Sequence, residues 1–241
     1  MNDPAAFYTG LVADLYAPLK GSHQSATRYA AFIRERGEPA LELGCGDGEP
    51  LLDLVADGLD VEGLDSSIDM LDRCAHAATA RGLSVTLHHA SMAEMSLGKR
   101  YRSIFIAGPT FNLLPDDEVA LASLRCIATH LTPDGAAFVP LFIPRPSPEA
   151  ALGKFRETTT DDGTLLRFAL LSEERDEDAR TQTSLLRYER HRGDDVEVLE
   201  RPWLLHWHTR DGFAALAEKA GLHVAGVDGV EEAFAFTLSS P

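Results

Sequence analysis

The sequence predicts an α/β fold: a mostly parallel, doubly wound sheet of seven strands with helices on both faces, carrying an inserted antiparallel β-sheet. Three observations predict it. Between residues 38 and 145, short apolar runs alternate with segments of helical periodicity, the pattern of βαβ units with right-handed crossovers. A glycine-rich turn joins the first of these strands to its helix. After Pro148 the alternation gives way to long β-leaning runs separated by turn signals.

Taken in order, residues 7–36 read as helices, with Ser22 capping the second and Ala26, Ala30 and Ile33 at helical spacing before Gly37 and Pro39. PALELG is a short apolar run of the buried parallel kind, and LLDLVADG is the helix after the turn, with Pro50 suited to its first turn. DVEGLD is the second strand. SSIDMLDRCAHAATARG is a helix capped by Ser66 or Ser67 and stopped by Gly82. LSVTLHH, YRSIFIAG and GAAFVPLFIP are strands three to five, and DDEVALASLRCIATHL is the helix between the last two.

KFRETTT, TLLRFALLSEE, RTQTSLLRYERHR and VEVLERPWLLHWH, with turn signals DDG and RGDD, predict an antiparallel meander. Alternation in its third run puts Thr181, Thr183, Leu185, Arg187, Glu189 and His191 on one face. The acidic run at 172–180 reads as a solvated turn. RDGFAALAEKAG is a last helix, and HVAGVDG and AFAFTL are closing strands. The expected organisation is a core of 1–150 and 207–241, with 1–37 as an N-terminal helical cap, and an insertion at 151–206.

Composition narrows the function. The 38 acidic and 22 basic residues give a net charge of -16. Nucleic-acid affinity comes largely from cations neutralising phosphates, so a DNA or RNA partner is not expected, and an anionic membrane surface would be repelled. A neutral or cationic small molecule is mildly favoured. No segment has the roughly 18 uninterrupted apolar residues of a membrane span. Cys45, Cys74 and Cys126 have no zinc-ligand spacing and read as reduced thiols. With an N-terminus that lacks a signal-peptide pattern, they point to a cytoplasmic setting.

LELGCGDG at 41–48 carries the chemistry. Glycines tolerate positive φ and let a ligand press on the backbone. A dinucleotide fingerprint needs G-x-G-x-x-G, whereas here Glu49 takes the last glycine's place, and Glu42, Asp47 and Glu49 would crowd a pyrophosphate. No P-loop is present. A cationic ligand without phosphate fits better, and S-adenosylmethionine has a sulfonium, an ammonium and an adenosine. Asp65, ending the second strand, is placed to accept from both ribose hydroxyls.

On these motifs the chain resembles the class I S-adenosylmethionine-dependent methyltransferases, whose core is Rossmann-like. ELGCGDG at 42–48 and GLDSSIDML at 63–71 look like the family's first motif and ribose segment. HASMAEM at 89–95 falls at its adenine loop, FIAGPTFNLL at 105–114 at its substrate-facing strand and loop, and LTPDGAAFVPLF at 131–142 at its fifth strand. The resemblance covers roughly residues 38–145. It implies cofactor contacts at Glu42 (toward the ammonium), Gly44, Cys45, Gly46, Asp47, Gly48, Asp65, Ser66, Met70, Ser91, Met92 and Ala107. One departure stands out: the adenine loop often carries an Asp where this chain has Ser91, which implies an amine contact that is weaker or made by backbone, with Met92 packing on the ring.

FYTGLVADLY and the inserted sheet are similar to small-molecule N-methyltransferases of the glycine or sarcosine type and of the amino-sugar N,N-dimethyltransferase type. That implies Tyr16, and Tyr8 with it, closing over the cofactor, and a sheet acting as lid or homodimer contact. Methyl transfer asks mainly for alignment and a dry pocket. Candidates on the acceptor side are Tyr16, Asn112, His206 and His208. Asn112 either orients the acceptor or is an ordinary turn residue, and Phe111 is expected in the core. His206 and His208, two apart on a strand, share a face and permit chelation, but no third ligand shows metal-like spacing, so no metal is expected; they read as a base or as surface lid histidines. His88 and His89 are expected to be structural. Arg187 and Arg201 either bind an anionic group on the acceptor or lie on a solvated face. The function these readings imply is methyl transfer from S-adenosylmethionine to a small molecule, at nitrogen before oxygen. The alternatives are O-methylation, a non-catalytic binding protein, and, disfavoured by the glycine spacing, an NAD-dependent oxidoreductase.

Overall fold

A computed structural model describes residues 7–20 and 24–240. Two sheets organise the chain. The larger has the order β10-β11-β5-β4-β1-β2-β3. Its parallel part consists of β1 (Ala40–Leu43), β2 (Val61–Asp65), β3 (Leu87–His89), β4 (Tyr101–Ile106) and β5 (Leu131–Phe142). Antiparallel β11 (Ala233–Ser239) and β10 (His223–Val230) close it beyond β5. The smaller sheet is the antiparallel meander β6 (Phe155–Thr159), β7 (Leu165–Asp176), β8 (Thr181–Arg192) and β9 (Asp195–His206).

Among the described residues six α-helices accompany the sheets: α1 (Leu11–Leu19), α2 (Ala26–Arg36), α3 (Leu51–Ala56), α4 (Ile68–Ala80), α5 (Asp117–His130) and α6 (Arg210–Lys219). The expected cap Ser22 lies outside the described residues, and Ser25 fills that role, its side chain accepting from the Thr27 N–H. Ser67 caps α4 by accepting from Met70, and Asp116 caps α5 by accepting from Val119. Each side-chain cap meets one of the N–H groups that the first turn of a helix leaves unpaired.

The core lies on both faces of the larger sheet. Ile104, Ile106, Phe111, Leu124 and Phe213 fill one side. Ile33, Leu51, Leu54, Phe105 and Phe138 fill the other. Because β1 is covered on both sides, all four of its residues are buried, as an apolar parallel strand requires.

Three features differ from the sequence reading. The third strand is confined to Leu87–His89, which pairs with Gly63–Asp65 of β2. The acidic run at 172–180 begins as strand: Glu173 lies within β7 and accepts from Ser147 and Gln182. Helix α1, read as a cap on the core, packs instead on the inserted sheet, where Leu11, Val12, Leu15 and Leu19 meet Leu166, Leu186 and Tyr188.

Helix α1 also ties that sheet to the core. Asp14 is shared by Arg73 of α4 and Arg190 of β8. Ser67 donates to the Tyr8 carbonyl at 2.6 Å, and Arg201 of β9 donates to the Phe7 carbonyl. The alternation read along β8 holds, with Gln182, Ser184, Leu186 and Tyr188 turned inward. The opposite face carries a charged ladder in which Glu189 accepts from Arg167 at 3.0 Å and from Arg187 at 2.7 Å, and Arg187 also reaches Glu200.

Candidate cofactor and acceptor site

The sheet order reverses direction between β1 and β4, and in open α/β sheets the crevice at such a switch point, at the carboxyl ends of the strands, takes the ligand. The loop after β1 and the loop after β4 meet there. Gly44 has φ 72°, and a Cβ on it would sit 2.6 Å from the Thr110 methyl. Gly46, at φ 53°, turns its N–H onto Asp65, which accepts at 2.8 Å. The other Asp65 oxygen accepts from Ser67 at 2.8 Å. Asp65 is thus fixed by two backbone donors, and each of its oxygens keeps a further lone pair for a hydroxyl.

Glu42, on β1, is fully buried, and neither of its carboxylate oxygens has a hydrogen-bond partner. Burial pushes its carboxyl well above the usual carboxylate range, and the nearby Asp65 and Asp47 add to the rise while Lys20 opposes it. An unpaired buried carboxylate is costly, and a cationic group beside it removes the cost. The ammonium of S-adenosylmethionine is such a group, so Glu42, Asp65 and the glycine turn fit that molecule. Lys20 forms an ion pair with Glu49 at 3.1 Å and lies 5.1 Å from the Tyr16 ring centre. Burial, together with Asp47, Glu49 and Asp65, pushes the Tyr16 phenol up to about 12. Tyr16 therefore stays neutral.

The other expected contacts divide. The Cys45 side chain is buried beneath the turn, with its sulfur 2.8 Å from where a Cβ on Gly63 would lie, and its N–H and carbonyl are tied to Leu64 and Gly48. Met70 is likewise buried, its terminal methyl 3.4 Å from a Cβ placed on Gly46, and it forms the floor of the turn. The Met92 terminal methyl comes within 3.9 Å of a Cβ placed on Gly44, which puts Met92 at the cofactor turn. Ser91 accepts from the Ala93 N–H at 3.2 Å and so builds the loop after β3. The carbonyls of Ser66 and Ala107 are tied to His89 and Thr110. Gly48 packs toward Cys74 and Leu52, and Asp47 is raised by burial and Glu49 against the pull of Lys20.

Beyond Tyr16 a cavity of about 310 Å³ opens between α1 and the inserted sheet. Its walls include Tyr8, Tyr16, Phe168, Tyr188 and Trp203, with Lys20 and Arg156 among them. This volume sits at the lower end of the roughly 300–1,000 Å³ common for small-molecule pockets. The rings of Tyr8 and Tyr16 are 5.6 Å apart, edge to face. Sequence reasoning missed Lys20, Arg156 and Trp203, because only the packing of α1 on the sheet brings them together.

On the acceptor side two expectations are corrected. Asn112 is fully buried, donates to the carbonyls of Phe142 and His206 at 2.9 and 3.0 Å, and accepts from the Phe142 N–H at 3.2 Å. Its amide is committed to backbone and has no donor left to orient an acceptor. His206 and His208 are not surface histidines: both are buried, with ring centres 4.6 Å apart. Burial pulls the His208 imidazole down to about 3, which makes it a poor base at neutral pH, and neither histidine lines the cavity. A third polar group does join them, Asp117 at the start of α5; it lies far along the chain, so local spacing gave no sign of it. Phe111 is core as expected. His88 is structural, paired with Glu62 at 2.8 Å. Arg187 and Arg201 are held by Glu189 and by the Thr9 hydroxyl.

This Rossmann-like fold carries the glycine turn and Asp65 at its switch point. Residues 40–135 match a family model described as a methyltransferase domain. The chain is 33% identical over 144 residues to a dTDP-3-amino-3,6-dideoxy-alpha-D-glucopyranose N,N-dimethyltransferase of Streptomyces fradiae, a match covering 56% of this chain and 55% of that protein. The chain spans about half the length of the curated relatives it matches. Among solved structures it is similar to the CcbJ methyltransferase of Streptomyces caelestis, with TM-score 0.78, 22% identity and 99% of each chain covered. It is also similar to S-adenosylmethionine-bound CalS10, an amino pentose methyltransferase of Micromonospora echinaspora, with TM-score 0.68, 23% identity and 95% and 97% of the chains covered. Among the described residues no helix is long and apolar enough to cross a membrane.

Proposed function

We propose that this chain transfers a methyl group from S-adenosylmethionine to the nitrogen of a small amine, with an amino sugar as the acceptor class. The observation that carries the reading is Glu42, a buried carboxylate without a partner, beside Asp65 and the glycine turn. Bound there, S-adenosylmethionine supplies a methyl carbon to which the amine lone pair bonds as the carbon–sulfur bond breaks, sulfur keeping the electron pair and the nitrogen then releasing a proton.

The residues of the chain hold and exclude. Glu42 meets the ammonium, Asp65 the ribose hydroxyls, and Met92 the side of the ligand at the turn. Neutral Tyr16 stands between this site and the cavity, where its hydroxyl can hold the acceptor amine with the lone pair forward. The aromatic walls suit the apolar face of a deoxysugar ring. Arg156, which donates to the Leu19 carbonyl, supplies positive charge at the cavity, which suits an acceptor that carries phosphate. A homodimer through the outer face of the inserted sheet, where Val196 and Val198 are exposed, and a cytoplasmic setting, in keeping with three free cysteines, complete the reading.

The test is incubation with methyl-labelled S-adenosylmethionine and a panel of amino sugars, free and nucleotide-linked, read by mass spectrometry. The expected result is label on nitrogen, with Tyr16→Phe lowering kcat about tenfold, the equivalent of one hydrogen bond, while cofactor affinity is unchanged. Label on oxygen would favour the O-methylating alternative. Cofactor binding with no transfer to any acceptor would favour a binding protein.

A further inference from the structure

The cluster of Asp117, His206 and His208 is not used by the proposed chemistry. β9 ends at His206, and His208 lies two residues on, just before Thr209 caps α6. Their side chains are 3% and 0% exposed. His206 Nδ1, both His208 ring nitrogens and Asp117 Oδ1 are buried without a hydrogen-bond partner. Native interiors rarely leave so many polar atoms unmet in one place.

The geometry explains them. His206 Nε2 and His208 Nδ1 each lie 3.5 Å from Asp117 Oδ1, too far for good hydrogen bonds. A tetrahedral ion with nitrogen and oxygen ligands at about 2.0–2.1 Å holds neighbouring donor atoms about 3.4 Å apart. The three donor atoms all lie within 4.8 Å of one another. The second Asp117 oxygen is bound by Arg180, which orients the carboxylate as groups behind a metal ligand do. The Arg180 charge also opposes a cation, so the affinity is lower than that of an all-cysteine structural site.

We propose that Asp117, His206 and His208 form a site for a first-row divalent transition-metal ion, zinc being the fitting case, which locks the exit of the inserted sheet onto the start of α5. The lock has a second strand in Asn112, which binds the His206 carbonyl. When bound, the ion ties together segments at 117 and 206–208, so it stiffens the attachment of the sheet that walls the acceptor cavity. The proposal is independent of what the cofactor turn binds.

The test is titration of the intact chain with cobalt(II), which gives strong visible bands in a tetrahedral site, followed by displacement with zinc(II). The expected result is one cobalt per chain with no thiolate-to-metal band, since Cys45, Cys74 and Cys126 lie outside the cluster. Asp117→Asn and His206→Gln each weaken binding at least tenfold, and zinc raises the unfolding temperature of the wild type but not of Asp117→Asn. Asp117 is half-exposed, so this variant folds even where a change at buried His206 does not. Absence of visible bands at millimolar cobalt, or equal binding by wild type and Asp117→Asn, would overturn the proposal.

Discussion

Glu42 shows how a single residue carries a chemical requirement. Its folded pKa lies well above the ordinary 4.5, so it binds its proton more tightly folded than unfolded. The stability this gives is fully present below the unfolded value and is lost as pH rises through the folded one. In the free protein Glu42 is therefore a liability toward neutral and alkaline pH, and a bound ammonium removes it. Glu42→Gln is expected to raise the unfolding temperature of the free protein at pH 8 and to weaken S-adenosylmethionine binding by tenfold or more, because charge-assisted hydrogen bonds are worth about 1.5–3 kcal/mol. Thermal unfolding with and without the cofactor, from pH 5 to 9, measures both effects; a variant less stable than wild type at pH 8 would contradict the assignment. Glu42, the glycines and Asp65 were legible in the sequence because they lie in two short contiguous motifs. Asp117 was not, because it meets His206 and His208 only through the packing of α5 against the end of β9.

At the scale of elements, apolar periodicity revealed which segments have a buried face, but not what covers it. The stripe Leu11, Val12, Leu15 and Leu19 marks α1 as amphipathic, and its partner, the inserted sheet, had to be seen. The four-stranded meander, by contrast, was legible from alternation and turn residues that are local. Leu11 packs between α1 and this sheet without lining the cavity. Leu11→Ala is expected to cost about 2–5 kcal/mol, felt first as faster hydrogen exchange in α1 while β4 and β5 keep their protection. Equal loss of protection in β4 and β5 would show that α1 does not open as a separate unit.

Over the whole molecule, the N-terminal segment joins two bodies. Asp14 binds both Arg73 of the core and Arg190 of the inserted sheet, and Tyr8 and Tyr16 line the aromatic cavity. The net charge of -16 is spread widely, and the cations Lys20 and Arg156 are held inward at that cavity. The parallel core was legible because βαβ units obey few topologies. The cavity was not, because its walls come from residues 7–20, 156–188 and 203. The most direct measurement is calorimetric titration of the wild type and Asp65→Ala with S-adenosylmethionine, S-adenosylhomocysteine and NAD. The account predicts one site for the two adenosyl ligands, about tenfold or more weaker in the variant through the lost ribose contacts, and no binding of NAD. Binding of NAD, or of neither adenosyl ligand, would contradict it.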